Sequence, residues 1–399
     1  MLLETTPAIP LTGRHCDMGG EPSMARSERA VRAGGADGVS SRMLIVDTDV
    51  HEYFKGFEAL LPYLAPAWRR PISEWGFSRI DVGFPYTSGL VRWTWETRRE
   101  WRPRDYGDLG SDLEVMSRNL FDELGITVAI TNNLQVQVSF MRGSHEFGIA
   151  LASAYNDQLI ERWLDREPRL RGSIVISLDD PARAAREIDR VGPHPQIVQV
   201  ALPTVVDQEL GDPRYRPIWE AMLRQRLVLG LHHGYGTRTV LGYPRQHIEW
   251  KALAPSQAMM SQLASLIFNG VFDAYPEFKV VAMEAGFTWL PYFMSRLDQQ
   301  YVSLRDQVPW VRRKPSDHLR EHVLLTTQPM EFLTARQFMN LIDEIGSDGM
   351  IAFSSDYPHY DADMVSEALP HGVPESTRAK VMGLNAVRVY PKLGVEVAS

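Results

Sequence analysis

The sequence predicts a (β/α)8 TIM barrel with an aromatic-rich insertion after its first strand. Eight short runs of apolar and β-branched residues occur between residues 43 and 355, and helical patterns separate most of them. Polar side chains follow the ends of several runs. Strands that alternate with helices in this way indicate a parallel barrel. The main alternative is a doubly wound open sheet, but no Gly-x-Gly-x-x-Gly follows the first run to favour it.

The composition narrows the classes of partner and location. Of the 399 residues, 44% are hydrophobic and 23% charged, which is typical of a globular protein with a sizeable core. The net charge of -8 and the lack of a basic run argue against nucleic acid, and no apolar stretch is long enough to span a membrane. The single cysteine, Cys16, excludes an intrachain disulfide and fits a cytoplasmic location. We expect a small-molecule substrate, and a homo-oligomer is compatible with the sequence.

Residues 1–42 differ from the rest of the chain. They are rich in Gly, Ser, Arg and Pro and show no apolar period, so we predict a disordered N-terminal extension. Residues 43–399 form the predicted barrel domain.

The predicted elements follow one another regularly from residue 43. The expected strands are 43–49, 126–131, 172–178, 196–202, 226–232, 279–284, 322–327 and 350–355. A helix is expected over 111–125, with Ser111 as N-cap and Glu114 completing a capping box. Another is expected over 180–192, ending at Gly192.

The segment 68–106, after the first strand, is unusually aromatic. It holds half of the chain's ten tryptophans, namely Trp68, Trp75, Trp93, Trp95 and Trp101. It would lie over the barrel mouth, where it could form a lid on a flat substrate or simply pack against the barrel or a partner subunit. Both interpretations stay open.

Polar residues gather at the carboxyl ends of the predicted strands, where barrel enzymes carry their active sites. They are Asp49, His51, Asn132, Asn133, His232, His233, Glu284, Thr326, Thr327, Gln328, Asp356 and His359. Two carboxylates and two imidazoles suit a borderline divalent metal. We therefore predict that Asp49, His51, His232 and Asp356 bind one divalent ion, with zinc favoured and manganese as the alternative.

Two details refine this metal site. The fourth strand contains no lysine, so a carboxylated lysine bridging two metals is not available there, which favours a single ion. His233 could replace His232, but the alternation of the strand favours His232.

The chain resembles the amidohydrolase-related family, in the branch that includes aminocarboxymuconate semialdehyde decarboxylase and resorcylate decarboxylases. The resemblance covers roughly residues 43 to 395. It is carried by DTDVHEY, YNDQLIERW with PRLRG, YRPIWEAM with LGLHHG, YPEFKVVAMEAGFTWLPYFMSRLD and IAFSSDYPHYD. The last two are the most specific. The resemblance implies a metal-dependent barrel that acts on carbonyl, amide or carboxylated aromatic substrates.

The chain departs from its relatives at two positions. Many relatives begin with His-x-His, whereas Asp49-x-His51 is closer to the acid-x-His of the aromatic decarboxylases. Those decarboxylases carry a histidine at the end of strand six, where this chain has Glu284. Glu284 could be a base for water, an acid of raised pKa that protonates carbon, or a structural partner of an arginine such as Arg296.

The expected function is therefore a metal-dependent hydrolase that uses a metal-activated water, with Glu284 and Asp356 as catalytic residues. A non-oxidative decarboxylase of an aromatic or muconate-type acid is the alternative. A non-catalytic metal-binding barrel is the weakest hypothesis, because so many polar residues lie at the mouth. Asp47 is expected to be structural, and His359 to support the site or its turn.

Overall fold

The computed structural model describes residues 43–53, 56–75, 110–134, 145–233, 242, 246–331, 333–359 and 361–395. Residues 43–399 form a compact unit of their own. The predicted disordered extension over 1–42 lies outside the described residues and stays a prediction.

Eight parallel strands build one sheet in the order β1 to β8, and every predicted strand is confirmed. Their short, β-branched sequences are buried along their whole length, as expected of strands covered on both faces. The strands are β1 Val46–Val50, β2 Val128–Thr131, β3 Leu170–Val175, β4 Ile197–Pro203, β5 Val228–His232, β6 Val280–Met283, β7 Val323–Thr326 and β8 Ile351–Ala352.

The first and last strands meet, so the sheet is a nearly closed barrel. The Thr48 amide donates to the Phe353 carbonyl at 3.1 Å, and the His51 amide donates to the Tyr357 carbonyl at 2.7 Å. The observed architecture is therefore the predicted (β/α)8 barrel.

Helices connect the strands on the outside of the barrel. The α-helices are α1 Pro66–Trp75, α2 Leu113–Ser117, α3 His145–Leu159, α4 Pro181–Val191, α5 Arg216–Arg224, α6 His247–Phe268, α7 Val271–Ala274, α8 Leu290–Leu304, α9 Pro315–His322, α10 Ala335–Ile345, α11 Glu375–Ala379 and α12 Asn385–Val389. Wider π-helical turns extend three of them at Arg118–Glu123, Ile160–Leu164 and Lys380–Leu384. Short 3₁₀-helices lie at Phe57–Tyr63, Pro213–Tyr215 and Arg305–Gln307.

The sequence prediction misplaces the start of helix α2. Its N-cap is Asp112, whose carboxylate accepts the amides of Glu114 and Val115, and not Ser111. Glu114 is therefore the second residue of the helix and not the third, so the predicted capping box is also wrong. A carboxylate one residue nearer the helix is the better acceptor for these amides. Helix α4 agrees with the prediction, since Gly192 is its C-cap.

The core has an outer layer between strands and helices and an inner layer inside the barrel. The inner layer joins residues near the starts of the strands, such as Val46, Val128 and Val228, to the C-terminal residues Val389 and Tyr390. The C-terminal segment therefore fills the amino end of the barrel and leaves the carboxyl end for the polar residues.

The insertion after β1 is described only in part. Trp68 lies in α1 and its ring is 5.3 Å from that of Phe147. Residues 76–109, with Trp93, Trp95 and Trp101, lie outside the described residues. The lid over the barrel mouth therefore stays a prediction. In the described part of the chain, no helix has the length and apolar character needed to cross a membrane.

Candidate active site

The four side chains predicted as metal ligands lie together at the carboxyl end of the barrel. Asp49 is in β1, His51 follows that strand, His232 is the last residue of β5, and Asp356 lies beyond β8. Each offers a ligand atom within 4.8 Å of the other three, and all four are buried. His51 Nε2 is 2.7 Å from Asp356 Oδ1 and 3.7 Å from Asp49 Oδ1, and His232 Nε2 is 3.6 Å from Asp49 Oδ2.

The hydrogen bonds of the two histidines favour ring forms that suit metal binding. His51 Nδ1 donates to the Asn132 carbonyl at 2.8 Å, and His232 Nδ1 donates to the His233 carbonyl at 2.5 Å. A neutral ring that donates at Nδ1 has its lone pair on Nε2. The buried Nε2 of His232 makes no hydrogen bond of acceptable geometry. An orphaned nitrogen of this kind fits a cation ligand, and carbonyl acceptors behind ligating histidines are usual at such sites.

The charges around the cluster also favour a cation. Burial lowers the pKa of His51 to about 3, so its Nε2 faces two carboxylates without a proton. Burial opposes a charge on His232 too, but Asp49 and Glu284 outweigh it and raise the pKa of His232 to about 9. Without a metal, the carboxylates therefore favour a second proton on this ring, at the Nε2 position where a metal ion would bind. Buried carboxylates are costly unless positive charge compensates them. The residues present therefore fit a divalent ion.

Asp47 hydrogen-bonds two segments of backbone at the site. Its Oδ1 accepts the amides of Asp49 at 3.2 Å and Ser355 at 2.9 Å. It therefore ties the end of β1 to the segment after β8. This agrees with the structural role expected for it.

Glu284 lies in the same cluster but is held by other residues. Its Oε1 accepts from Lys251 Nζ at 2.7 Å, and its Oε2 is 2.8 Å from His233 Nε2 and 3.1 Å from His232 Nε2. Burial would raise the pKa of Glu284, but His233 and Lys251 outweigh it and hold the pKa well below its usual range. An ionised carboxylate clamped in this way is a poor proton donor and a weak base.

Lys251 was not singled out in the sequence. It lies in α6, and its Nζ also lies 3.1 Å from Asp361 Oδ2. The sequence suggested Arg296 as a structural partner of Glu284. The guanidinium of Arg296 instead lies 3.3 Å from Gln299 Oε1, and Lys251 pairs with Glu284. Nothing in the local pattern of a long helix marks one lysine as a partner for a strand end 33 residues later.

A second polar chain joins His359 to the cluster. Its Nδ1 is 2.7 Å from Asp356 Oδ2, its Nε2 is 2.8 Å from the Tyr53 hydroxyl, and its ring stacks on His51 at 4.5 Å. Burial opposes a charge on His359, but Asp356 outweighs it and raises the pKa to about 10. Burial, followed by the charge of Glu284, also raises the pKa of Asp356. Both directions favour a proton on the pair.

Two site carboxylates stand on unusual backbone. Glu284 has φ 49° and Asp356 has φ 60°, and both follow strand ends. Non-glycine residues avoid this left-handed region, at a cost of about 1–3 kcal/mol, and occupy it mostly at functional sites. The sharp change of direction is compatible with turning these carboxylates into the barrel mouth.

The remaining predicted polar residues mainly support the walls of the site. Asn132 donates to Asp49 Oδ1 at 2.8 Å, and Asn133 donates to the Glu52 carbonyl at 3.0 Å. The Glu284 amide donates to the Thr326 hydroxyl at 3.2 Å. Thr327 and Gln328 hydrogen-bond Ser354. Of the residues missed in the sequence, Tyr53 carried a signal, since it follows His51 by two in the first motif.

A family model described as Amidohydrolase matches residues 46–392. The chain belongs to this amidohydrolase family. Its curated relatives include the γ-resorcylate decarboxylase of Polaromonas sp., 27% identical over 310 residues that cover 72% of this chain and 91% of the relative. The γ-resorcylate decarboxylase of Rhizobium radiobacter is 29% identical over 262 residues, which cover 61% and 76%.

A solved structure has the same fold as this amidohydrolase-family chain. It is the dihydroxybenzoic acid decarboxylase of Polaromonas sp. JS666, with bound manganese and the inhibitor 2-nitroresorcinol. The TM-score is 0.59 at 20% identity, over 88% of this chain and 97% of that one.

The expectation of a hydrolase is wrong. The curated relatives of this amidohydrolase-family protein are named as decarboxylases and not as hydrolases. The physical reason lies at Glu284, the intended base for water. Its contacts with His233 and Lys251 outweigh burial and lower its affinity for a proton, so it is poorly suited to deprotonate a nucleophile.

Proposed function

We propose that this protein is a metal-dependent, non-oxidative decarboxylase of a small hydroxylated aromatic acid. The observation that carries the proposal is the alignment with γ-resorcylate decarboxylase over 91% of that enzyme's length. It is supported by the buried cluster of Asp49, His51, His232 and Asp356 at the barrel mouth.

We propose manganese as the ion, since the related dihydroxybenzoic acid decarboxylase holds manganese. Asp49, His51, His232 and Asp356 would bind it through two carboxylates and two imidazoles. When bound, the ion supplies a Lewis acid that attracts a carboxylate and a neighbouring phenolic oxygen. The fourth strand has Gln199 inside the barrel and no lysine, which supports a single ion.

The reaction needs a proton at the carbon that loses its carboxyl group. The bond between the ring carbon and the carboxyl carbon breaks, its electron pair stays on the ring carbon and takes a proton, and carbon dioxide leaves. His359 suits this donation because Asp356, 2.7 Å from its Nδ1, outweighs burial and raises the pKa of His359 to about 10. Asp356 would stay ionised as a metal ligand and hold the protonated ring in place. Tyr53, 2.8 Å from His359 and 9% exposed, is placed to return a proton toward the pair.

Glu284 and Lys251 receive a different role. The ionised Glu284 orients the rings of His232 and His233 and holds Lys251 near the mouth. The ammonium group of Lys251 is part-exposed and adds positive charge where an anionic substrate would approach. We therefore propose Glu284 as a positioning residue rather than as the acid or base.

The test is product analysis on the manganese-loaded protein. Incubation with 2,6-dihydroxybenzoate and with 5-carboxyvanillate should release carbon dioxide with at least one of them. In deuterium oxide, the product should carry one deuterium at the carbon that lost the carboxylate. Benzoate, which lacks the hydroxyl group beside the carboxylate, should be inert.

Metal dependence provides the control for this assay. Protein stripped with a chelator should lose activity and regain it with manganese. No carbon dioxide from a panel of hydroxylated benzoates, together with turnover of amides or lactones, would contradict the proposal.

A further inference from the structure

A chain of hydrogen bonds runs through the barrel interior from the C-terminal segment to the proposed metal site. The Tyr390 hydroxyl donates to Gln199 Oε1 at 2.7 Å, and Gln199 Nε2 donates to Asn132 Oδ1 at 2.8 Å. Asn132 Nδ2 then donates to Asp49 Oδ1, also at 2.8 Å. All four side chains are buried. Residues far apart in sequence are thus linked to one ligand oxygen.

The chain has a direction, because every donor points toward Asp49. A carboxylate only accepts, so Asn132 must present its NH₂ group to it and its carbonyl oxygen to Gln199. Gln199 must in turn present its NH₂ group to Asn132, which leaves its own oxygen for Tyr390. Burial, followed by the charge of Asp49, raises the pKa of the Tyr390 phenol well above its usual range, so the hydroxyl keeps its proton.

The barrel interior accommodates these hydrogen-bonded side chains through an irregular strand pairing and a glycine beside Gln199. Pairing of β3 with β4 shifts between Gly172–Ile197 and Ser173–Gln199, so Val198 is an extra residue. A side chain at Gly230 would lie 2.4 Å from the Gln199 amide. Gln199 therefore occupies space that an ordinary hydrophobic core would fill. A polar group kept in such a place must be hydrogen-bonded at both ends.

The hydroxyl of Tyr390 is not needed to attach the C-terminal segment. Arg171 Nε donates to the Leu393 carbonyl at 2.7 Å, and Lys392 Nζ donates to the Gly192 carbonyl at 2.6 Å. The ring of Tyr390 is itself packed in the inner core. Attachment therefore rests on other contacts, and the hydroxyl contributes its bond to Gln199.

We propose that Tyr390 is a positioning residue for the metal site, which acts through Gln199 and Asn132 to hold Asp49 in its ligating orientation. The inference rests on the proposed function, since it takes Asp49 to be a metal ligand. Without the hydroxyl, Gln199 Oε1 loses the bond from Tyr390, and the amide is held only through Nε2, by Asn132 and by Ser173 Oγ at 2.9 Å. The weaker hold on Gln199 loosens Asn132, and through it the ligating orientation of Asp49.

The test measures manganese affinity of the full-length protein, with free manganese(II) followed by its electron paramagnetic resonance signal. Tyr390→Phe keeps the packed ring and removes only the hydroxyl. We expect one ion per chain in both proteins and about 10-fold weaker binding in the variant, at the lower end of the usual 10–100-fold for residues behind ligands. Tyr301→Phe is the matched control, because its hydroxyl donates to the Val311 carbonyl at 2.8 Å in α8, away from the barrel interior. It should bind manganese within about twofold of the parent.

A double variant separates a relay from a general loss of stability. Gln199→Met breaks the chain at its middle, so adding Tyr390→Phe to it should weaken manganese binding no further. The melting temperatures of metal-free Tyr390→Phe and Tyr301→Phe should be similar, since each loses one phenolic hydrogen bond. If Tyr390→Phe does not fold, the manganese affinity of Gln199→Met tests the inference, and we expect it to be about 10-fold weaker than that of the parent.

Three outcomes would overturn the inference. Manganese binding by Tyr390→Phe within twofold of the parent would show that the hydroxyl does not act on Asp49, and would leave the proposed function intact. Fully additive losses in the double variant would show that the two residues act separately. Failure of the parent protein to bind manganese would overturn the metal site and, with it, this inference.

Discussion

At the scale of single residues, the proton that the proposed reaction needs depends on His359. This side chain bridges Asp356 and Tyr53, at 2.7 and 2.8 Å. His359 is not one of the four predicted metal ligands. Its replacement should therefore affect the supply of protons and leave metal binding unchanged. Asp356 cannot make this separation, because it is also a predicted ligand.

We expect His359→Asn to bind one manganese ion and to lose about 10²-fold or more in kcat, the usual contribution of an acid or base. Steady-state kinetics and metal titration on the same preparation measure both effects. The matched control is His194→Asn, since His194 lies 3.3 Å from Asp165 near the exposed end of α4. An unchanged kcat in His359→Asn, with kcat of the control also unchanged, would remove His359 from the proton path.

At the scale of elements, helix α9 carries a buried histidine where it joins β7. His322 ends the helix, donates from Nδ1 to the Phe278 carbonyl at 2.8 Å, and stacks on Phe272 at 4.5 Å. Burial lowers the pKa of His322 to about 4. The unfolded chain therefore binds a proton below about pH 6.5 that the folded chain takes up only near pH 4. This junction should lose stability as the pH falls through that window.

We expect the melting temperature of the parent to fall more between pH 6.5 and 4.5 than that of His322→Asn, by about 3 °C. Asparagine keeps a donor for the Phe278 carbonyl but does not titrate. The exposed His371→Asn serves as the control and should follow the parent. Parallel curves for the parent and His322→Asn would contradict the assignment of this acid sensitivity to the α9–β7 junction.

At the scale of the whole molecule, the barrel domain should be independent of residues 1–42. Residues 43–399 form a compact unit, and β1 begins only at Val46. A chain that starts at Met43 should keep its melting temperature and manganese affinity, because no apolar period ties the extension to a core. A chain that starts at His51 lacks β1 and Asp49, so it should neither fold nor bind manganese. Loss of folding or of metal in the Met43 chain would refute this prediction.

The eight strands were predictable because each is a short apolar run that must be buried, and strand identity is largely a local property. The same logic brought Asp49, His51, His232 and Asp356 together, since a parallel barrel gathers the carboxyl ends of its strands at one mouth. The cap of α2 was misassigned by one residue, because neighbouring Ser111 and Asp112 both have capping side chains.

Only the tertiary structure decided how these groups are charged and paired. His233, and Lys251 from a distant helix, lower the pKa of Glu284, which the sequence offered as a base for water. Burial opposes a charge on His359, but the contact with Asp356 outweighs it and raises the pKa of His359. Tyr390 reaches Gln199 from 191 residues away. Local patterns determine which elements form. The partners and pKa values of buried polar groups depend on contacts between distant elements, because burial and Coulomb interactions act through space and not along the chain.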